Sequence, residues 1–410
     1  MSANVASPRS ILDTDLYKIT MQQAVLRVFP HTQASYKFTM RDKSAVFTPD
    51  AFRVFQQTVD RFGDVKLTES EHAWLKETCP YLTDEYLSYL RDYRFRPEQV
   101  HVAFVPTSAD SGTIKIDIAG PWVETILWEV PLMACLSEVY FKLVVTNWTY
   151  DGQKDLAYEK GRTLFQGDCV VSEFGTRRRR SFEAQNVVIE SLLRASKETE
   201  SKGKLVGTSN VHFAHKYGLM PVGTIAHEWF MGVAALKGYE DANSVAMNLW
   251  EEVYPAALLV ALTDTFSSEA FFKSYSNDKE RASRWQGLRQ DSGDPFAFGV
   301  RAKEVFDSLG IDPRTKTIIY SDSLTVEKAL RLKAQANDLG LNVSFGIGTF
   351  LTNDFKKAGS LEVSKALNMV IKLSSVDDQA CVKISDDLTK NTGDPETVKM
   401  VKRIYNLDSV

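Results

Sequence analysis

Short apolar runs recur along the second half of the chain, and each stops on a polar or glycine-rich end. Val170-Val-Ser-Glu-Phe174 runs into Gly175-Thr-Arg177, and Leu205-Val-Gly-Thr-Ser209 into Asn210. Pro221-Val-Gly-Thr-Ile-Ala226 delivers His227, Glu228 and Trp229. Leu258 to Thr263 ends at Asp264, and Trp285 to Leu288 leads into Arg289-Gln-Asp291. Thr317 to Tyr320 ends at Ser321-Asp322, and Val343 to Phe345 leads into Gly346-Ile-Gly-Thr349. Runs without helical period read as buried strands. Between them, Ser181 to Ala195 and Ser323 to Leu339 carry apolar positions three and four apart, the mark of amphipathic helices. Strand, polar loop, helix, strand is the grammar of a parallel β/α barrel, whose active site gathers at the carboxyl ends of the strands. An open doubly wound sheet is the rival, but it concentrates polar ends at one switch point, whereas here they occur on all seven runs.

The first 150 residues read differently. A helix begins near Asp13 or Thr14, with Leu16, Ile19, Val25 and Val28 on its apolar face, and ends near Pro30. Ala34 to Met40 alternates as a strand, 49–95 looks helical, and Thr113 to Ile118 is a period-two strand closed by Gly120-Pro121. Val123 to Asn147 reads as one buried helix. The expected division is an α+β domain over 1–150, a barrel over 151–365, and a segment over 366–410 that returns to the first domain. Within that last segment, Leu367 to Leu373 and Ala380 to Ile384 read as strands, and periodicity alone leaves open whether they close the barrel instead.

Composition narrows the class. A net charge of -4 lacks the basic excess a nucleic-acid binder needs. The four cysteines, scattered with no CxxC pair, read as thiols of a reducing compartment. No apolar run approaches membrane-spanning length, and the first ten residues show no signal-peptide core, so the expectation is no membrane partner and a cytoplasmic, or also nuclear, location.

The candidate chemistry lies at the strand ends. Four consecutive arginines, Arg177 to Arg180, oppose a helix dipole unless an anion balances them, and only one or two can face inward. His227 alone reads as a packed histidine; with Glu228 beside it and Asp264 ending the next strand, it becomes a candidate base or nucleophile. Asp291 and Asp294 flank a glycine turn that could seat ribose hydroxyls or magnesium, or could simply stabilise its own loop. Gly346-Ile-Gly-Thr349 sits where barrels hold phosphate. The strand ends offer no Schiff-base lysine and no cysteine–histidine pair. The residues by themselves indicate phosphorylated, anionic sugar chemistry.

Asp13-Thr-Asp-Leu-Tyr-Lys18, Ser172-Glu-Phe-Gly-Thr-Arg-Arg-Arg-Arg180, Gly207-Thr-Ser-Asn210, Gly223-Thr-Ile-Ala-His-Glu-Trp229, Arg289-Gln-Asp-Ser-Gly-Asp-Pro295 and Ser344-Phe-Gly-Ile-Gly-Thr349 together resemble the nicotinate phosphoribosyltransferase family in its fungal and bacterial form. The resemblance implies an irregular β/α barrel beside an N-terminal α+β domain partly completed by the C-terminal segment. It implies union of nicotinate with phosphoribosyl diphosphate (PRPP), giving nicotinate mononucleotide and diphosphate for NAD biosynthesis. ATP is the implied co-substrate, Mg2+ the implied cofactor and a homodimer the implied assembly. By the same resemblance His227 takes a phosphoryl group from ATP as a phosphohistidine, with Asp264 and Asp291 as its catalytic neighbours. Phe174 stacks on the pyridine ring beside Arg177, and Tyr17 supplies a second stacking ring from the other subunit. Arg289 and Asp291 touch the nucleotide, while Ser321, Asp322, Gly346, Gly348 and Thr349 form ribose and phosphate loops. Ser209 stands where nicotinamide-using relatives place an aspartate, and so spares the acid a repulsion. The alternatives are a nicotinamide-using relative, another sugar-phosphate barrel enzyme such as an isomerase or aldolase, and a binding-only relative.

Overall fold

The structure, a computed structural model, describes residues 6, 9–387 and 391–407. The expected lack of a signal core therefore falls largely outside the described residues. Fourteen strands are described: β1 (Gln33–Met40), β2 (Val100–Pro106), β3 (Gly112–Pro121), β4 (Val170–Glu173), β5 (Lys204–Thr208), β6 (Met220–Pro221), β7 (Val260–Leu262), β8 (Gly287–Gln290), β9 (Thr317–Tyr320), β10 (Asn342–Ile347), β11 (Phe355–Lys356), β12 (Val363–Ser364), β13 (Met369–Val376) and β14 (Gln379–Ala380). Among these residues no helix is long and apolar enough to cross a membrane.

Seven strands form one parallel sheet in the order β6-β5-β4-β10-β9-β8-β7. The first and last strands of the run, β4 and β10, are neighbours, paired from Phe345↔Val171 to Ile347↔Glu173. That cyclic order belongs to a barrel and not to a doubly wound sheet. The curl stays open between β6 and β7, where the Thr224 hydroxyl donates to the Val260 carbonyl at 3.2 Å. β6 is only two residues long, because the chain leaves the sheet early and passes Gly223 at φ +149°, a backbone angle L side chains rarely adopt. His227 is consequently the first residue of the helix His227–Lys237 and not a strand end.

The second sheet, ordered β14-β13-β1-β3-β2, is antiparallel. β13 pairs with β1 from Ala34↔Val376 to Met40↔Met369, so the C-terminal segment joins the N-terminal sheet and leaves the barrel open. β2 is a strand the hydrophobic pattern did not single out; it lies at the sheet edge and is mostly half-buried, which blunts alternation. The single helix expected over Val123–Asn147 is two, Trp122–Thr125 and Glu129–Leu143. Pro131 has no N–H to donate and so fits the first turn of a new helix. The break makes Glu129 the first residue of that helix.

The helix Leu16–Val28 starts after Asp15 instead of Asp13 or Thr14, and Asp15 makes no side-chain cap bond. Asp13 instead accepts from Arg179 through both oxygens, at 2.8 and 2.7 Å, and from the Asn210 side chain at 2.8 Å. This buried pair ties the N-terminal segment to the barrel. Burial works to raise the Asp13 carboxyl, but Arg179, Asn210 and His212 outweigh it and hold it below its ordinary range. Removing one partner leaves a buried charge unpaired, so Arg179→Met should cost about 3–5 kcal/mol of stability, read as a lowered urea midpoint. A depressed carboxyl stabilises above its unfolded value and loses that contribution as pH falls through the folded one. The gap between wild type and variant should accordingly narrow on acidification.

Candidate active site

Two adjoining chambers open between the carboxyl ends of the barrel strands and strand β13. The larger, about 400 Å³, is lined by Phe174, Ser321, Asp322, Gly348 and Thr349 together with Arg41 and Arg178. The smaller, about 90 Å³, is lined by Tyr17, Glu129, Glu228 and Met231. Arg177, His227, Arg289, Asp291, Lys372 and Lys383 line both. Of the four arginines, Arg177 and Arg178 face the chambers. Arg179 pairs with Asp13, and Arg180 is buried among Phe141, Trp148 and Phe355 with Ser364 as its hydrogen-bond partner.

His227 stands at the junction. Its Nδ1 lies 3.0 Å from the Thr265 hydroxyl, and its Nε2 lies 2.9 Å from Lys383 Nζ, 3.2 Å from Asp291 and 3.7 Å from Asp264. Nε2 thus faces an ammonium that can only donate and a carboxylate that can only accept, while the Thr265 hydroxyl can serve Nδ1 in either role, so both neutral tautomers find partners here. Burial and Lys383 lower the pKa of His227 against the opposing pull of Asp264 and Asp291, which keeps the ring neutral and nucleophilic near neutral pH. Asp264 is fully buried behind the histidine, 3.0 Å from Lys383, with the Ser292 hydroxyl on the same oxygen. Burial raises Asp264, and His227 with Lys383 outweighs it. Asp291 accepts from Arg289 at 2.9 Å and from the Ser321 hydroxyl at 2.6 Å. Burial raises it as well, but Arg289, His227 and Lys383 hold it well below the carboxylate range.

The other expected residues divide. Gly346 lines neither chamber: a Cβ there would come within 2.3 Å of the Phe174 ring, so its bare backbone seats that ring. Ser209 lies outside both chambers, its hydroxyl donating to Asp15 at 2.7 Å while its carbonyl accepts from Leu16 N–H. It anchors the start of the helix Leu16–Val28, a role its short reach from β5 dictates. Asp294 caps the helix Pro295–Ser308, accepting from Phe296 N–H at 2.8 Å, which is the local loop role.

Tyr17 needs the largest correction. Expected from a second subunit, it lines a chamber of its own chain. Its helix is docked on the barrel by Leu16 N–H to Ser209 O at 2.8 Å, by the Thr20 hydroxyl to Thr224 O at 2.6 Å and by the Tyr254 hydroxyl to Thr20 O at 2.7 Å. Mixing Tyr17→Ala chains with His227→Ala chains should therefore restore no activity beyond the sum of the two. Recovery toward a quarter of wild type would return Tyr17 to the partner's site.

Lys383, Lys372, Arg41 and Glu129 were not anticipated. Both lysines lie in the C-terminal segment, the charged members of Val370-Ile-Lys-Leu373 and Val382-Lys-Ile384. A lone lysine inside an apolar alternating run was the available signal, since such a group is buried only with a reason. Thus the mouth does hold lysines, although none comes from a barrel strand. Glu129 is tied to Lys18 at 2.6 Å and to Arg177 at 3.3 Å; burial raises it, and those two cations outweigh the burial.

The nicotinate phosphoribosyltransferase (NAPRTase) family profile matches residues 169–409, and the profile of that family's N-terminal domain matches residues 12–137. A probable nicotinate phosphoribosyltransferase of Schizosaccharomyces pombe is 41% identical over 399 residues, covering 96% of each chain. The nicotinate phosphoribosyltransferase of Methanosarcina acetivorans is 43% identical, covering 97% of this chain and 98% of its own. A crystal structure of a putative nicotinate phosphoribosyltransferase from Saccharomyces cerevisiae superposes with a TM-score of 0.95 at 40% identity, covering 99% of this chain and all of that one.

Proposed function

Because this chain belongs to the nicotinate phosphoribosyltransferase family, we propose that it forms nicotinate mononucleotide and diphosphate from nicotinate and PRPP in a reaction driven by ATP through phosphorylation of His227. The observation carrying the ATP coupling is the position of His227 Nε2 at the junction of the two chambers, flanked by Lys383 at 2.9 Å and Asp291 at 3.2 Å. In the coupling step Nε2 bonds to the γ-phosphorus of ATP, the bond to the bridging oxygen breaks, and ADP departs with that electron pair. Lys383 and Arg289 face the charge carried in transfer. Water later attacks the phosphohistidine and releases phosphate.

In the synthetic step the pyridine nitrogen attacks C1 of the ribose while the C1–O bond breaks toward diphosphate. The ring nitrogen is already nucleophilic, so the site has to orient and not deprotonate. Tyr17 and Phe174, on adjoining chambers, are suited to hold the ring, and Gly348 and Thr349 to hold phosphate. Arg41 and Arg178, which have no carboxylate partner among the described residues, favour the polyphosphate. Burial and the neighbouring cations Arg177 and Arg41 pull Arg178 down to about 10, a strain an anion would relieve.

Asp264, Asp291 and His227 bring ligand atoms within 4.8 Å of one another, and Asp264 Oδ1 is buried without a hydrogen-bond partner. The two carboxylates fit Mg2+, a hard cation that takes oxygen ligands, which would neutralise charge on the departing diphosphate and leave His227 as the nucleophile. A homodimer remains the proposed assembly, although one chain carries every residue invoked above. The buried free cysteines support the proposed cytoplasmic, or also nuclear, location. The test is incubation with PRPP and labelled nicotinate, with and without ATP. Labelled mononucleotide should accumulate, and ATP should be hydrolysed in step with it. Product formation indifferent to ATP, with no ATP consumed, would overturn the coupling.

A further inference from the structure

The smaller chamber is walled by cations that are almost all spoken for. Arg177 is engaged by Glu129 at 3.3 Å, Arg289 by Asp291 at 2.9 Å and Lys383 by Asp264 at 3.0 Å. Lys372 is the exception: among the described residues no carboxylate is in contact with it, and its ammonium meets only the Thr392 hydroxyl, at 3.2 Å. It lines the smaller chamber and reaches the junction with the larger one. Its strand cannot easily shift, because β13 pairs with β1 along its length, with Lys372 opposite Lys37. Burial and the surrounding cations Lys383, Arg41 and Arg177 pull its pKa down to about 8, with Glu129 opposing. A charge held in this way is relieved by an anion and not by a neutral molecule.

The geometry points to Lys372 as the residue that makes the chamber select a pyridine carboxylate over the corresponding neutral amide. This inference rests on the proposed placing of the pyridine ring where the two chambers meet, between Tyr17 and Phe174. Ser209, the residue expected to favour the acid by sparing it a repulsion, lies outside both chambers, and Arg177 beside the ring is already engaged by Glu129. A carboxylate at the ring edge completes the charge balance that the protein leaves open at Lys372. An amide in the same place leaves the half-buried ammonium uncompensated.

The test compares wild type with Lys372→Gln and Lys372→Arg in steady-state kinetics for nicotinate, nicotinamide and PRPP. Loss of a charge-assisted contact of this kind should raise the KM for nicotinate roughly tenfold to a hundredfold. The KM for PRPP should stay within about threefold, and the preference for nicotinate over nicotinamide should shrink in the Gln variant. The Arg variant keeps the charge and should recover much of the preference, which a merely structural role would not produce. A Gln variant whose KM rises for PRPP and not for nicotinate would assign Lys372 to phosphate and overturn the inference. Unchanged constants for both substrates, or an unchanged nicotinate preference, would overturn it as well. Wild-type turnover is the internal control: if it joins nicotinate to PRPP while the variants keep their selectivity, only the role of Lys372 falls.

Discussion

His227→Ala should lose ATP hydrolysis by about 10³-fold or more, the scale on which removal of a covalent nucleophile is felt. Mononucleotide synthesis should survive as a weak, ATP-independent reaction, because binding and orientation of the two substrates do not pass through Nε2. The direct readout is the phosphoenzyme. Wild type incubated with γ-labelled ATP should carry an acid-labile, alkali-stable label, and the variant should carry none. Protonation would block Nε2, and the neutral form is favoured by burial and Lys383. The sign follows: phosphorylation should persist below pH 6.5, the ordinary histidine value, and fail only as pH drops through the lowered one. Label of full stoichiometry on the alanine variant would place the phosphoryl group elsewhere.

Lys383→Met should slow phosphorylation of His227 by about 10²-fold, as when a single preorganised charge is taken from a site of phosphoryl transfer. Two further consequences separate this from a folding defect. Lys383 is one of the causes that lower His227, while Asp264 and Asp291 pull it up. Without the lysine the acid limb of the phosphorylation profile should move to higher pH. Asp264, fully buried, would also lose the ammonium 3.0 Å away, and its carboxyl should rise. Lys383→Arg keeps the charge and should restore the profile more completely than the rate, because a planar guanidinium cannot reproduce the point contact with Nε2. A methionine variant slowed without any change in its pH profile would show that Lys383 serves only the packing of the C-terminal segment.

Packing gives that segment its place. Ile384 N–H donates to Thr265 O at 2.8 Å, next to the hydroxyl that holds His227 Nδ1. One face of the segment therefore completes the N-terminal sheet through β13, and the residues that follow press Lys383 against the barrel mouth.

The barrel was legible because a buried parallel strand is apolar on both faces and must end where its polar loop begins, a signal contained within a few neighbouring residues. Strand ends such as Phe174, Asp264, Arg289-Gln-Asp291 and Ser321-Asp322 were visible for the same reason. So was the likeness to a family, which rests on the order of short motifs. What the pattern could not carry was the meeting of residues distant along the chain. Periodicity shows that Lys372 and Lys383 interrupt apolar runs, but not that β13 pairs with β1 and turns them toward His227. Nor could it separate Ser209 from the chambers, since the helix Leu16–Val28 covers that strand end only in the folded chain. Tyr17 lines its own chain's chamber because that helix docks on the barrel through Thr20, Thr224 and Tyr254. The sequence by itself determined the barrel strands, most of their polar ends and the candidacy of His227. The tertiary structure alone decided which charges surround that histidine, because electrostatic environment depends on distance in space and on burial, and neither is a property of local order.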